Sequence, residues 1–294
     1  MDPRTRRFLG DLEAHFDWPR HVAQDPIADV LSLGESQREV GGLIAAQLAF
    51  GNVASLRGAV QSVFERLERQ PRDFLLRADR KGLEKAASGF IYRWVRGADL
   101  ARLLAVLKRA LEAYGDLGAS FQTEGGEGPL RERARQWVGW LRSLDTNPPT
   151  RGFQSLLPSL EGNGAGKKWM LYLRWMVRHP PPDLGLWRFL DPAELIIPLD
   201  THMARIGRNL GWTSRKSSDL KCAMDITRAL RKIDPADPTR YDFPISHLGI
   251  SRQCPPSNAM EKGADLESCR VCGLQPICRL AEQALNAGRK KAGK

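Results

Sequence analysis

Four cysteines close to the C-terminus are the residues of this chain best suited to chemistry. Two of them form a C-x2-C pair, which places two sulfur atoms on one tight turn. A set of four thiolates suits either a structural zinc ion or an iron–sulfur cluster. The sequence has no apolar signal segment, so a reduced metal site is favoured over disulfides. The cysteines follow the pattern C-x14-C-x2-C-x5-C, at Cys254, Cys269, Cys272 and Cys278.

A glycine-rich turn precedes a pair of lysines earlier in the chain. Glycines at alternate positions leave backbone N–H groups accessible, and the N-terminus of the helix that follows adds positive potential. The turn can therefore bind a phosphate, although such turns also occur in ordinary loops. The residues are Gly162, Gly164, Gly166, Lys167 and Lys168.

A carboxylate follows the apolar segment L-I-I-P-L and opens the amphipathic stretch T-H-M-A-R-I-G-R-N. Asp200 can be a simple helix N-cap at this position, or it can be a reactive carboxylate placed at a helix start. Arg174 and Arg178 lie one helical turn apart downstream of the lysines. They can face a phosphate or form a solvated ion-paired surface.

The formal net charge of +11 favours a polyanionic partner, of which nucleic acid is the commonest, over an uncharged ligand. A basic soluble protein without such a partner is the plainer alternative. No run of 18 apolar residues occurs, and the N-terminus lacks an apolar signal core. We therefore expect a cytoplasmic protein without a membrane partner.

The elements that must position these residues are predicted to be helices. Alternating β-patterns are scarce, which favours an all-α fold. Asn52 is a plausible N-cap, Cys222 has the position of a core residue, and Trp169, Trp175 and Trp187 are candidates for aromatic contacts. Amphipathic runs occur at 38–49, 53–69, 98–114, 129–143, 167–178, 201–210 and 219–232.

The order of these features resembles the helix-hairpin-helix (HhH-GPD) DNA glycosylases, the superfamily of endonuclease III and adenine glycosylase. Its members place an acid in V-D-T-H, where this chain has L-D-T-H. Their last three cluster cysteines have the spacing C-x2-C-x5-C, which this chain shares. The chain is most similar to a bacterial branch known mainly as a domain of unknown function, with I-I-P-L-D-T-H and D-P-x-D-P-x-x-Y-D-F. This resemblance runs from about residue 38 to residue 280.

The resemblance implies a two-lobed, all-α fold. Residues 41–203 would form a helical barrel lobe with the helix-hairpin-helix, and residues 1–40 with 204–280 a cluster-bearing lobe. Residues 281–294 would be a basic, disordered tail. The four cysteines would hold a [4Fe–4S] cluster, with structural zinc as the less favoured alternative. The expected protein is a monomer.

The implied activity is base excision repair, in which a DNA glycosylase removes a damaged or modified base, with or without AP-lyase activity. Asp200 would be the catalytic carboxylate. Lys167, or else Lys168, would form a Schiff base with the sugar or would only neutralise a phosphate. Gly162, Gly164 and Gly166, with the two arginines, would contact DNA.

Three differences between this chain and the glycosylase family limit which properties of the family can be expected here. The hairpin has more glycines than L-P-G-V-G, the interval between the first two cysteines is wider, and an inserted segment lengthens the link from the lysines to Asp200. The substrate base of endonuclease III therefore does not transfer. A non-catalytic iron–sulfur protein of the same fold that binds nucleic acid is the alternative function.

Overall fold

The computed structural model describes residues 3–179, 181–251, 253–254, 269–279 and 281–282. This part of the chain is mostly helical, which confirms the all-α prediction at the level of fold class. The α-helices are Pro3–Ala14 (α1), Trp18–Gln24 (α2), Pro26–Leu31 (α3), Arg38–Leu48 (α4), Val53–Arg66 (α5), Pro71–Arg77 (α6), Arg80–Ala87 (α7), Gly97–Tyr114 (α8), Leu117–Glu124 (α9), Leu130–Ser143 (α10), Arg151–Leu156 (α11), Lys167–Val177 (α12), Thr201–Asn209 (α13), Leu220–Arg231 (α14) and Asp242–Ile250 (α15).

The seven amphipathic runs correspond to α4, α5, α8, α10, α12, α13 and α14. Asn52 caps α5, as predicted, because its side chain accepts a hydrogen bond from the Ser55 amide at 2.8 Å. The sequence did not reveal a two-stranded antiparallel hairpin, in which Ile91–Tyr92 (β1) pairs with Val95–Arg96 (β2). Two residues per strand are too few for an alternating pattern.

The chain divides into two compact units, each discontinuous in sequence. The bundle unit comprises Pro19–Gly162 and Lys168–Asp191, and the thiol unit comprises Met1–Trp18, Asn163–Lys167 and Pro192–Lys294. These limits differ from the predicted lobes, since residues 19–40 group with the bundle unit and residues 192–203 with the thiol unit. Of the predicted basic tail, only residues 281 and 282 lie within the described part.

The bundle unit is built around α8, which packs against α6, α7, α9, α10 and α11. Beside α8 lies an aromatic core in which Trp137 contacts Trp169, Tyr172 and Trp187. Trp169, Trp175 and Trp187 are 1%, 0% and 2% exposed. The three tryptophans are therefore core residues. Trp169 and Trp175 lie on the buried face of α12, as their helical spacing favours, and Trp187 reaches the core from the segment after α12.

Arg174 and Arg178 are buried in the bundle unit and bind one carboxylate. Arg174 Nε lies 3.1 Å from one oxygen of Asp183, and Arg178 Nη1 lies 3.1 Å from the other. The two arginines are 3% and 4% exposed. The prediction that they contact a DNA phosphate is therefore wrong, because Asp183, from the inserted segment, already neutralises part of their charge inside the protein.

The thiol unit contains α1, α13, α14 and α15. Helix α13 packs closely on α14 at Gly207, where an added Cβ would lie 2.6 Å from Ile226 Cδ1. Cys222 on α14 is fully buried, as predicted. None of the helices in the described ranges combines the length and the apolar character needed to cross a membrane.

Candidate functional site

Asp200 is delivered to the start of α13 by a buried, extended segment. Residues 195–199 are buried, and the Ile197 amide donates a hydrogen bond to Thr227 Oγ1 at 3.1 Å, which ties the segment to α14. Asp200 is the N-cap of α13, and its Oδ1 accepts a hydrogen bond from the Met203 amide at 2.7 Å. The capping interpretation is correct, and the cap fixes the orientation of the carboxylate.

The pKa of His202 is influenced by three charged neighbours, which are Asp200, Arg205 and Lys167. Burial is the main cause that lowers the pKa of its imidazole. The carboxylate of Asp200 opposes this shift, whereas the positive charges of Arg205 and Lys167 lower the pKa further. The predicted carboxylate and one of the two predicted lysines therefore lie in one neighbourhood of the thiol unit.

The position of His202 depends on close packing between α13 and α15. Gly249 on α15 faces the imidazole, and a Cβ added there would lie 2.6 Å from His202 Cβ and 2.7 Å from Nδ1. His202 Nδ1 is buried and has no hydrogen-bond partner among the described residues.

Lys168 has a different environment from its neighbour in sequence. Its Nζ donates a hydrogen bond to the carbonyl oxygen of Ser155 at 2.6 Å and lies 4.1 Å from the centre of the Phe50 ring. These contacts belong to the bundle unit. Successive residues of an α-helix point about 100° apart, so the two lysines cannot share one set of partners.

The glycine-rich turn joins α11 to α12. Gly162 and Gly166 have positive φ angles of 78° and 64°, which favour glycine. Gly164 forms a β-bridge with Asp219, next to a hydrogen bond from the Leu220 amide to the Asn163 carbonyl at 2.8 Å. A Cβ at Gly162 or Gly164 would meet no atom within 4 Å, so packing does not require the absence of a side chain there.

The four cysteines predicted to bind a metal line one pocket of the thiol unit. Apolar side chains from α13, α15 and the segment around the last cysteines complete its wall. The lining residues include Cys254, Cys269, Cys272, Cys278, Ile206, Leu210, Leu248, Leu274 and Ala281. Among the described residues, no group of three or more His, Cys, Asp or Glu side chains is arranged to hold a single metal ion.

The surroundings of the sulfur atoms combine burial with hydrogen-bond donors. Burial raises the pKa of the Cys254 thiol, and the positive charge of Arg205 opposes that shift. Burial also raises the pKa of the Cys272 thiol, and hydrogen bonds from the amides of Leu274 and Gln275 oppose that shift. Metal binding requires thiolates. The four thiols therefore share a pocket beside hydrogen-bond donors, and the described side chains are not arranged around a single metal ion.

Two residues of α13 extend from this neighbourhood to the cysteine pocket, and the sequence interpretation missed both. Arg205 Nη2 donates to the Cys254 carbonyl oxygen at 2.7 Å, and Asn209 Nδ2 lies 3.9 Å from Cys254 Sγ. Cys278 Sγ lies 3.8 Å from the Asn209 carbonyl oxygen. Their spacing of three and seven residues from His202 is a helical pattern that could have revealed them.

Together these features define a helical protein in which a lysine and a carboxylate influence a half-buried histidine and four cysteines share a pocket. Residues 25–251 match the family described as Protein of unknown function (DUF2400), and the chain belongs to this family. The matched region contains both lysines and Asp200, and it ends before Cys254. No curated protein and no solved structure matches the chain.

Proposed function

We propose that this protein is a DNA glycosylase that excises a damaged or modified base, with Asp200 and Lys167 as its catalytic residues. The observation that carries the proposal is that Asp200, held as the N-cap of α13, lies in the same compact unit as Lys167. Both charges also influence the pKa of the His202 imidazole. In the helix-hairpin-helix glycosylases that this chain resembles, the corresponding two motifs supply the reactive carboxylate and lysine.

Asp200 would stabilise the sugar as the base departs. Cleavage of the C1′–N glycosidic bond leaves the electron pair on the base and positive charge on the sugar. A carboxylate fixed beside C1′ stabilises that charge without having to reorient during the reaction. The hydrogen bond from Met203 uses Oδ1, which leaves the second carboxylate oxygen for the sugar.

Lys167 would attack C1′ as the neutral amine. The attached nitrogen loses a proton, and the C1′–O4′ bond then breaks with its electron pair and a proton going to O4′, so that the sugar ring opens and an imine forms. Removal of a C2′ proton then breaks the C3′–O bond, and the phosphate leaves with its electron pair. If water attacks C1′ instead, the products are the free base and an abasic site. The same carboxylate serves both routes.

Lys168 would not be the nucleophile in this scheme. Its amine already donates to the Ser155 carbonyl and lies over the Phe50 ring. These contacts lie in the bundle unit, whereas Lys167 belongs to the same unit as Asp200. We therefore assign Lys168 a supporting role and Lys167 the covalent step.

The four cysteines would hold a [4Fe–4S] cluster, which supplies a cross-link within the thiol unit and takes no part in bond cleavage. Zinc is the alternative metal for four thiolates. Cys254, Cys272 and Cys278 would contribute thiolates whose charge Arg205, Asn209 and the amides beyond Cys272 stabilise.

Borohydride trapping on a panel of duplexes, each with one modified base, tests the proposal. The wild-type protein should excise at least one base. If the lyase route operates, it should form a reducible covalent adduct. Lys167→Ala should lose the adduct, whereas the matched variant Lys168→Ala should retain it. Asp200→Asn keeps a capping side chain and should slow excision by about 100-fold or more.

The alternative, a nucleic-acid-binding protein without catalysis, predicts a different result. DNA binding would persist, while neither an adduct nor a released base would appear across the panel with metal-loaded protein. Excision that Asp200→Asn leaves unchanged would also contradict the assigned mechanism, because the carboxylate would then be only a helix cap.

A further inference from the structure

A stacked aromatic pair lies on the bundle unit, apart from its tryptophan core. Phe50 follows the end of α4, and Trp94 lies in the turn of the β1–β2 hairpin. Their ring centres are 5.2 Å apart with an interplanar angle of 23°. Both side chains are half-buried, so the pair presents part of its aromatic surface to solvent. Neither residue belongs to the site proposed for catalysis.

The residues around Phe50 and Trp94 pack closely against one another. The Tyr92 hydroxyl donates a hydrogen bond to the Phe50 carbonyl oxygen, which joins the hairpin to the turn after α4. Gly51 has a φ of 96°, and a Cβ there would lie 2.8 Å from Arg93 Nη1 and 3.0 Å from the Tyr92 hydroxyl. Arg93 itself has a φ of 54°, which is uncommon for a residue with a side chain. Strained positions of this kind cluster at functional sites.

Cationic side chains surround the aromatic rings. The guanidinium of Arg151 lies 4.7 Å from the centre of the Trp94 ring, and that of Arg93 lies 5.5 Å from it. Both arginines are exposed, and neither forms an ion pair in the part of the chain that the structure describes. Lys168 Nζ lies 4.1 Å from the centre of the Phe50 ring. The surface therefore combines aromatic faces with the positive charges of Arg93 and Arg151, which no described carboxylate neutralises.

We propose that Phe50 and Trp94 form a stacking platform for an unpaired nucleobase of DNA, and that Arg93 and Arg151 contact its flanking phosphates. Aromatic faces beside cations are the common arrangement for binding single-stranded nucleic acid, because every base has a π-face. A glycosylase must expose an unstacked nucleotide. The platform thus rests on the proposed function for its ligand, but it involves different residues.

The chemistry of the ligand follows from the groups present. Stacking selects a flat, neutral ring and tolerates any of the four bases, so the platform should show little sequence preference. The arginines require negative charge beside that ring.

Binding of a fluorescein-labelled oligothymidine, followed by fluorescence anisotropy, tests the platform without requiring excision. Trp94→Ala should weaken binding between about fivefold and about 100-fold, the usual effect of losing one stacked base. Trp94→Phe keeps an aromatic face and should recover most of that loss. Arg151→Gln should lower the slope of log affinity against log salt by about 0.7, the value for one single-strand phosphate contact.

A stacking readout separates this role from a purely structural one. An oligonucleotide carrying 2-aminopurine should lose fluorescence on binding the wild-type protein, and Trp94→Ala should remove that quenching. Phe189→Ala is the aromatic control, because Phe189 is 38% exposed in the same unit. Arg80→Gln is the charge control, because Arg80 is an exposed arginine paired with Glu84. Both control variants should bind as the wild type does.

The proposal is overturned if Trp94→Ala binds and quenches as the wild type does, or if the control variants lose as much affinity. Should Trp94→Ala fail to fold in a thermal melt, the comparison of Arg151→Gln with Arg80→Gln decides by the salt slope. Failure of the proposed function gives a different pattern. In that case no base would be excised, while the oligonucleotide would still bind through Trp94.

Discussion

At the scale of single residues, the structure distinguishes side chains that the sequence could not fully separate. Lys167 and Lys168 are adjacent and identical in type, yet only Lys167 acts on His202 together with Asp200. The sequence favoured Lys167 and left Lys168 open, because the contact of Lys168 with Ser155 arises only from the fold. Arg174 and Arg178 were misassigned for the same reason, since Asp183 reaches them through the inserted segment.

Asp219 should make stability depend on pH in the acid range. The ion pair with Arg215 lowers the pKa of Asp219 to about 2, whereas an unfolded aspartate titrates near 3.9. The stabilisation is therefore fully present above about pH 4 and is lost as the pH falls towards 2. Urea unfolding of Asp219→Asn should show a stability deficit at neutral pH that shrinks to nothing near pH 2.

The matched control for this prediction is Asp79→Asn. Asp79 caps α7 through the Gly82 amide and forms no ion pair within the described residues. Its asparagine variant keeps the cap and should show no comparable convergence. A deficit in Asp219→Asn that persists unchanged to pH 2 would show that the charge of Asp219 is not the cause.

At the scale of elements, each of the seven amphipathic patterns corresponds to a helix, whereas the other helices gave no such pattern. The 18-residue helix α8 was found almost to its ends, and Asn52 marked the start of α5. The short helices α2, α3, α6, α7, α9 and α11 span six to eight residues, about two turns, which is too short to establish a period. The longer helices α1 and α15 were missed for opposite reasons, since α1 buries only Leu9 and α15 is buried along most of its length.

The contact between α13 and α15 should be sensitive to one methyl group. Gly249→Ala places a Cβ against the His202 side chain, where both neighbours belong to packed helices. We expect a loss of about 1–3 kcal/mol in the free energy of unfolding, the usual cost of overpacking. The imidazole should also move, so the NMR titration of His202 should shift.

Gly139→Ala is the control for this substitution. Gly139 lies in α10, and a Cβ there would meet no atom within 4 Å. Replacing an exposed helical glycine with alanine removes conformational freedom from the unfolded chain and should stabilise the protein by up to about 1 kcal/mol. Equal effects of the two variants in chemical denaturation would refute the close approach at Gly249.

At the scale of the whole molecule, charge and helical content could be inferred from composition and periodicity, but the division into units could not. Residues 163–167, which include most of the glycine-rich turn, belong to the thiol unit, whereas the residues on either side of them belong to the bundle unit. Sequence patterns describe neighbours along the chain, whereas these units depend on which distant segments pack together. The predicted limit at residue 40 therefore fell inside the bundle unit.

The cysteine pocket should govern the stability of the purified protein. Anaerobically prepared protein should absorb near 400 nm and contain iron and sulfide, an expectation for a [4Fe–4S] centre. Cys272→Ser should abolish that absorbance and lower the melting temperature, because metal binding contributes to folding. Cys222→Ala, at the buried cysteine outside the pocket, should keep the absorbance. Stoichiometric zinc without iron would contradict the cluster assignment.

Lys167 and Lys168 have different neighbours, so the glycine-rich turn before them cannot change in length without exchanging their positions. Removing one residue between Gly162 and Gly166 would shift every residue of α12 back by one position, a rotation of about 100° per side chain, if the helix axis and its starting point kept their place. Lys168 would then occupy the direction that Lys167 has now. Insertions and deletions in this turn should therefore impair activity far more than substitutions at Gly164. A library of loop-length variants would show that the length of this turn sets the directions of the two lysines.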